Sequence, residues 1–369
     1  MQSRFRRLAV FCSFGIALLF VSLALAQSAN QIEQPFPISL GTSGGNVHNI
    51  TRRFCCSGTL GALVTKNSTD FILSNNHVLA DTDTATVSDD ISQPGLADVG
   101  CVLTASNSHV VAHFSETKTL GTDNIDAALA EIVSGAVKTD GSILEVGVPS
   151  STLATPSVSL GVAKSGRTTG LTCATIGSVS TNVVVQYQKH CGQGRRFRIV
   201  YLNQILVSGS TFSAGGDSGS LIVTQSAAQP VGLVFAGSTT DTIANPISDV
   251  TNAFGVSIVG DVNHTVSCPA AAGTAAIARG PLVGSSQPAL LAKEKHAERL
   301  MQDEAVIGVG VGADPADPSE AVVVIYLEEG RPHGPIPAEL DGVHTSVVRT
   351  DAFRAFGWKE RNPHPCRVR

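Results

Sequence analysis

Between residues 39 and 260 the chain reads as a succession of short apolar or alternating runs, each closed by a turn signal. "GTLGALVTK", "DFILSNN", "HVVAHFS", "AALAEIV", "SVSLGVAKSG", "GSVSTNVVVQYQ", "RFRIVYLNQILVS", "SGSLIVTQ" and "PVGLVFAGS" follow one another at spacings of about 8 to 15 residues. Helical periodicity is nearly absent. Val, Thr and Ser dominate these runs, and glycine, with 36 copies in the chain, punctuates them. Such a pattern folds into a sandwich or a pair of barrels, so the fold class is mainly β. "NPISDVTNAFGVSIV" is the exception, and its proline predicts a short helical turn.

The two ends differ from this middle. "MQSRFRR" is a basic start, "LAVFCSFGIALLFVSLALA" an apolar stretch, and Ala24-Leu25-Ala26 a small-x-small cleavage site. Residues 1–26 therefore read as a signal peptide cut before Gln27, the alternative being an uncleaved anchor. No second apolar run of that length follows, so the mature chain is expected secreted or periplasmic, without membrane contact once the signal is removed. Residues 263–289 have a linker composition rich in Ala, Gly, Ser and Pro. Beyond it, "ALLAKEKHAERLMQDE" has helical spacing, while "AVIGVGVG", "AVVVIYLEE" and "VHTSVVRT" read as strands. Residues 290–369 are thus expected to form a small α+β module. No internal repeat is visible.

Charge and cysteine content narrow the function. A net charge of −5 without a basic patch gives nucleic acid no electrostatic handle. Once Cys12 leaves with the signal, an odd number of cysteines remains: Cys55, Cys56, Cys101, Cys173, Cys191, Cys268 and Cys366. Their use suits an oxidising compartment. Cys173 and Cys191 could close one loop, but connectivity is open at this level. No Cys/His group has zinc spacing, and "VIGVGVG" lacks the GxGxxG pattern before a helix. Neither a metal nor another cofactor is expected.

One constellation points to chemistry. Ser218 sits in "FSAGGDSGSLIV", His77 at the end of "DFILSNNH", and Asp126 in "DNIDAALAEI". A serine nucleophile needs a base to take its proton, an acid to orient that base, and donors for the oxyanion. His77, Asp126 and the backbone N–H groups of Gly216 and Ser218 fill these roles. The chain order His, Asp, Ser differs from those of subtilisin and the α/β-hydrolases, and the GxSxG elbow fails because position 220 is Ser.

On these motifs residues 39–262 resemble the trypsin/chymotrypsin-like serine proteases. "CSGTLGALVTKNSTDFILSNNHVLA", "NIDAALAEI", "GGDSGSLIV" and "VGLVFAGS" are similar to that family's histidine, aspartate, nucleophile and cleft-border segments. "VAKSGRTTGLTCATIGSV" and the "GRTTG…FAGS…ANPI" combination are closer to secreted bacterial members and to relatives of plant narrow-leaf proteins. The resemblance implies a double six-stranded Greek-key β-barrel (chymotrypsin-like), followed here by the α+β module. It implies a serine endopeptidase acting on protein or peptide substrates, with His77, Asp126 and Ser218 as triad and Gly216 and Ser218 as oxyanion hole.

The resemblance assigns further residues. Phe212 and Ser213 fall at the base of the primary specificity pocket, with Phe235, Ala236 and Gly237 along the cleft. With no acid at the base, cleavage after an apolar or small residue is expected. Asp217 is a buried charge in this family, and Lys164 or Arg167 is its candidate partner. The sequence departs from the family at Phe235, where a serine usually touches the triad aspartate, and at Ser220, usually glycine. No cysteine follows His77, which leaves Cys56 without its usual partner. A protease-like binding or scaffold protein of weak activity, or a protease that processes only itself, are the competing readings. Neither oligomeric state nor physiological substrate follows from the sequence.

Overall fold

The computed structural model describes residues 27–269, 286–355 and 357–363. The signal peptide, most of the linker and Cys366 lie outside them.

The first half forms β1 (Thr42–Asn46), β2 (Phe54–Leu60), β3 (Ala62–Lys66), β4 (Thr69–Ser74), β5 (Asp90–Gln93), β6 (His109–Thr117) and β7 (Ala128–Ile132). β2 and β3 are two arms of one strand bent at Gly61. A Cβ at Gly61 would lie 1.8 Å from the carbonyl oxygen of Gly219, so only glycine permits the bend at this close approach. With β2/β3 counted as one strand, antiparallel pairing runs β1–β2/β3–β4–β7–β6–β5 and returns to β1, a closed six-stranded barrel. Its interior is filled by Leu60, Leu63, Ile72, Leu73, Val111 and Leu129, among others.

The second half gives β8 (Gly161–Gly166), β9 (Gly170–Gln188), β10 (Arg196–Ser208), β11 (Leu221–Thr224), β12 (Pro230–Gly237) and β13 (Asp241–Pro246). Pairing runs β8–β9–β10–β13–β12–β11 and returns to β8, again antiparallel throughout. Counted within each half, both rings have the order 1-2-3-6-5-4. The structure therefore contains a repeat of topology that the sequence does not display, because the pairing order constrains the hydrophobic pattern of each strand but not the identity of its residues. The segment that opens with a proline becomes the helix Ile247–Phe254, and β14 (Ser257–Ile258) then returns to pair with β3 of the first ring.

The C-terminal part adds to these rings. The helix Gln287–Leu300 precedes β15 (Val306–Ala313), β16 (Ala321–Glu328), β17 (Glu339–Leu340) and β18 (Val343–Thr350). β15 pairs antiparallel with β9, so β9 serves the second ring and the added strands at once. That dual duty explains its composition: Val183, Val185 and Tyr187 face a core shared with Ile307, Val324, Tyr326 and Phe353 of the C-terminal part. Two short strands finish the chain. β19 (Arg354–Ala355) pairs with β12, and β20 (Trp358–Arg361) pairs with β2 on the opposite ring. Neither was expected from the sequence.

Three disulfides correct the cysteine reading. Cys173 is bonded to Cys268 rather than Cys191, Cys191 to Cys56, and Cys55 to Cys101. Cys56 thus has a partner, supplied by the turn between β9 and β10 of the other ring. Long-range pairings of this kind depend on the packing of the rings, which spacing along the chain does not reveal.

Candidate active site

His77 stands in the single helical turn Asn76–Leu79 that follows β4. Its carbonyl accepts from Asn49 Nδ2 at 3.3 Å. Asp126, fully buried, immediately precedes the apolar run into β7. Its backbone is clamped: Asn245 Oδ1 accepts from its N–H at 3.2 Å, and its carbonyl accepts from Asn75 Nδ2 at 2.7 Å and Asn245 Nδ2 at 3.2 Å. Asn245 belongs to β13, so the second ring holds the aspartate of the first. The result is a contact of 2.7 Å between His77 Nδ1 and Asp126 Oδ2. The other imidazole nitrogen, Nε2, is buried and has no hydrogen-bond partner.

The same carboxylate oxygen accepts a second bond, from the hydroxyl of Tyr187 at 2.8 Å. Tyr187 in β9 is stacked on Phe197 and shares a hydroxyl–hydroxyl contact of 2.9 Å with Tyr201. Burial, with the Asp126 charge next, pushes the Tyr187 hydroxyl well above its ordinary pKa, and burial does the same to Tyr201. Both are held as neutral donors. The sequence reading missed Tyr187, since a tyrosine in a β-branched run is the ordinary content of a strand. Phe235, standing where the resemblance implied a serine against Asp126, packs edge-on against Tyr201 at 5.0 Å instead.

Ser218 lies on the turn before β11 and is fully buried. Its hydroxyl donates to the Phe235 carbonyl at 3.3 Å and not to His77. Its own carbonyl accepts from Thr59 N at 2.8 Å, which ties the turn to β2 of the first ring. Gly216 has φ +99°, a conformation in which a Cβ is strained. Among the described residues, the N–H groups of Gly216 and Ser218 have no acceptor. The Gly216 carbonyl is held by the Thr59 hydroxyl at 2.9 Å, and that hydroxyl accepts from Arg167 N at 3.0 Å. Ser220 also has a place here. Its hydroxyl donates to the Asp217 carbonyl at 2.6 Å and closes the turn.

Asp217 points away from the cleft. Its carboxylate accepts from the N–H groups of Thr168, Thr169 and Ala214 and from the Thr169 hydroxyl, all between 2.7 and 3.2 Å. The cation facing it is Lys164, whose Nζ is 3.7 Å from Oδ2 and reaches it more closely through Thr169 Oγ1. Burial pulls the Lys164 ammonium below its ordinary pKa, with Asp217 opposing that pull. Arg167, the other candidate, is directed to Asp98 through contacts of 2.7 and 2.6 Å. Asp98 lies just before Cys101, in a segment without a charge signal, so the sequence could not divide the two cations between the two acids.

The expected specificity residues fall in two groups. Ala236 and Gly237 lie on β12, the former buried in the core shared with β9. Phe212 is buried in the interior of the second ring with Val162, Ile176 and Val231. It packs there as a core residue. Ser213 is also buried, its hydroxyl meeting that of Thr242 at 2.5 Å. A cavity of about 430 Å³ opens beside His77 and Tyr187. Away from this site, Asp314, Glu320 and His344 bring ligand atoms within 4.8 Å of one another on the C-terminal part, the grouping with metal-binding potential among the described residues.

No protein-family model matches the sequence, and no match was found among curated proteins. Among solved structures the chain is similar to a glutamic-acid-specific serine protease described as using a histidine triad in substrate binding, at 21% identity and TM-score 0.43, over 60% of this chain and 100% of that one. It is also similar to Thermobifida fusca protease A (19% identity, TM-score 0.37, 55% of this chain and 92% of that one). An alpha-lytic protease homolog, N4, gives 18% identity and TM-score 0.38 over 56% of this chain and 95% of that one.

Proposed function

We propose that this chain is an exported serine endopeptidase that cleaves peptide bonds through an acyl-enzyme intermediate. The observation that carries the reading is the state of His77. One nitrogen is held by Asp126 at 2.7 Å, and the other is buried without a partner. A general base for a serine needs one ring nitrogen held by an acid and the other open to the hydroxyl, and this arrangement meets both conditions. In the proposed cycle the Ser218 hydroxyl turns from the Phe235 carbonyl toward His77 Nε2 and gives up its proton as Oγ attacks the substrate carbonyl. Asp126 keeps Nδ1 protonated and stabilises the imidazolium that forms. The N–H groups of Gly216 and Ser218 meet the oxyanion, each worth about 3 kcal/mol to the transition state. His77 then protonates the leaving amine, and water enters by the reverse route to release the acid. Lys164 and Asp217 brace the loop behind the oxyanion donors.

The substrate class is protein or peptide, with an apolar or small residue preceding the cut bond. Gly237, with no side chain, and the absence of an acid at Phe212 and Ser213 support this preference. Three disulfides support export to an oxidising compartment.

A second reading, a protease-like scaffold of weak activity, draws on the Ser218 hydroxyl being turned to Phe235. Fluorophosphonate labelling separates the two. Labelling of the intact chain, or of one whose segment 351–362 has been loosened, is expected and should vanish in Ser218→Ala. Folded chains of both kinds that never label through Ser218 would overturn the peptidase reading. A peptide panel cut best after Lys or Arg would overturn the preference alone.

A further inference from the structure

Residues 351–355 lie on the second ring and residues 357–362 run onto the first, on opposite sides of the cleft. On the second ring, Arg354 pairs with Gly237 and Ala355 with Ala236, antiparallel. β11 pairs with β12 only as far as Leu233, so this end of β12 would otherwise present open main-chain groups on that side. Past His77 the segment continues at Gly357, where a Cβ would stand 3.5 Å from His77 Cδ2. It then joins the first ring, with Trp358 opposite Ser57 and Lys359 opposite Cys56. Both ends are anchored. Asp351 Oδ1 accepts from the N–H and hydroxyl of Thr239 at 2.7 Å, and Phe353 is fully buried beside Tyr326. Asn362 donates from its N–H to the Arg53 carbonyl at 2.7 Å and from Nδ2 to the Thr51 carbonyl at 2.9 Å.

An extended peptide binds an open strand edge through main-chain hydrogen bonds, and a site flanked by two such edges holds it on both sides of the reacting groups. We propose that the chain seats its own segments 353–355 and 357–361 where a peptide substrate would lie, so that the folded protein inhibits itself until that segment is displaced. The proposal rests on the peptidase reading above. It accounts for two observations together: the burial of His77, which Gly357 approaches, and two terminal strands that pair with β12 and β9 on one ring and β2 on the other rather than with each other. A linked competitor acts at a high effective concentration, so added substrate must displace it to reach the same edges.

The test uses the full chain. Arg354→Pro with Lys359→Pro denies the segment its ladder on both edges. Asp351→Ala with Asn362→Ala removes the anchors while leaving the backbone of the ladder unchanged, and serves if the proline chain folds poorly. In either, the rate of Ser218 labelling by a fluorophosphonate is expected to rise at least tenfold. A synthetic peptide of residues 350–363 should return it toward that of the parent. Amide hydrogen exchange in a Ser218→Ala background reads the seat independently of chemistry. Residues 236–237 and the amides of Cys55 and Ser57 should be protected in the parent and lose protection in the variants. Loss of protection with unchanged labelling overturns self-inhibition. Unprotected edges in the parent overturn the seat itself. Protection lost as expected, with no labelling in any chain, upholds the seat and overturns the peptidase reading and the inhibition with it.

Discussion

Tyr187 donates its hydroxyl to the same oxygen of Asp126 that meets His77 Nδ1, and it does so from the opposite ring. Asp126 is therefore held by strands of the second barrel as well as by its own. Tyr187→Phe removes one donor from a fully buried carboxylate while preserving the ring packing. The expected loss is about 1–3 kcal/mol of stability and about tenfold in kcat/KM, read by urea unfolding and peptide hydrolysis. Tyr201→Phe, one bond further away, should do less on both counts. Equal effects would place the role of Tyr187 in packing alone.

Lys164 makes a prediction about pH. Burial lowers its pKa from the ordinary 10.5, so the unfolded chain keeps this proton at pH values where the folded chain has released it. In that alkaline window the unfolded state binds more protons, and stability contributed at this position rises with pH. The unfolding free energy of wild type minus that of Lys164→Met should shift in favour of wild type as pH climbs toward 10.5. A difference that falls over that range would show that Asp217 holds the charge more strongly than burial opposes it.

Gly219 is tightly enclosed in the turn that carries Ser218. Its φ is +95°, and a Cβ there would stand 2.1 Å from Ser74 Oγ and 2.2 Å from the Thr59 carbonyl oxygen. The serine could move, but the carbonyl belongs to β2. Gly219→Ala should cost about 3 kcal/mol or more, from overpacking together with the left-handed backbone. Thermal unfolding measures this, and a shift within error of wild type would mean that the turn can be rebuilt.

The Cys56–Cys191 bond ties the turn between β9 and β10 to the first ring, and the turn carries Tyr187 at its base. Replacing both cysteines with serine should lower stability by about 2–4 kcal/mol. Hydrogen exchange should quicken over residues 186–196. Unchanged exchange there would mean that the aromatic stack on Phe197 holds the hairpin by itself.

Much of this site could be read along the chain because its members sit in local motifs. His77 closes a strand, Asp126 precedes one, and Ser218 stands among glycines whose backbone the turn requires. The rings were legible for a related reason, since alternation and turns are local. Tyr187, Asn245 and the cysteine pairs were not, because each acts on a residue of the other ring or of a distant loop, and nothing in its own neighbourhood marks it. β19 and β20 are two and four residues long and have no pattern of their own, so only the edges they meet define them.

The order in which these pieces leave the ribosome or a membrane pore gives the C-terminal seat a meaning in time. His77 and Asp126 come first, Ser218 follows, and the second ring is complete once β14 has returned to the first at Ser257–Ile258. The strands proposed to cover the cleft, β19 and β20, follow only after residue 353. At about 5–20 residues per second, some 5 to 20 seconds separate a finished cleft from its cover. For a chain that folds as it emerges, each new molecule thus passes once through an open state before it closes on itself.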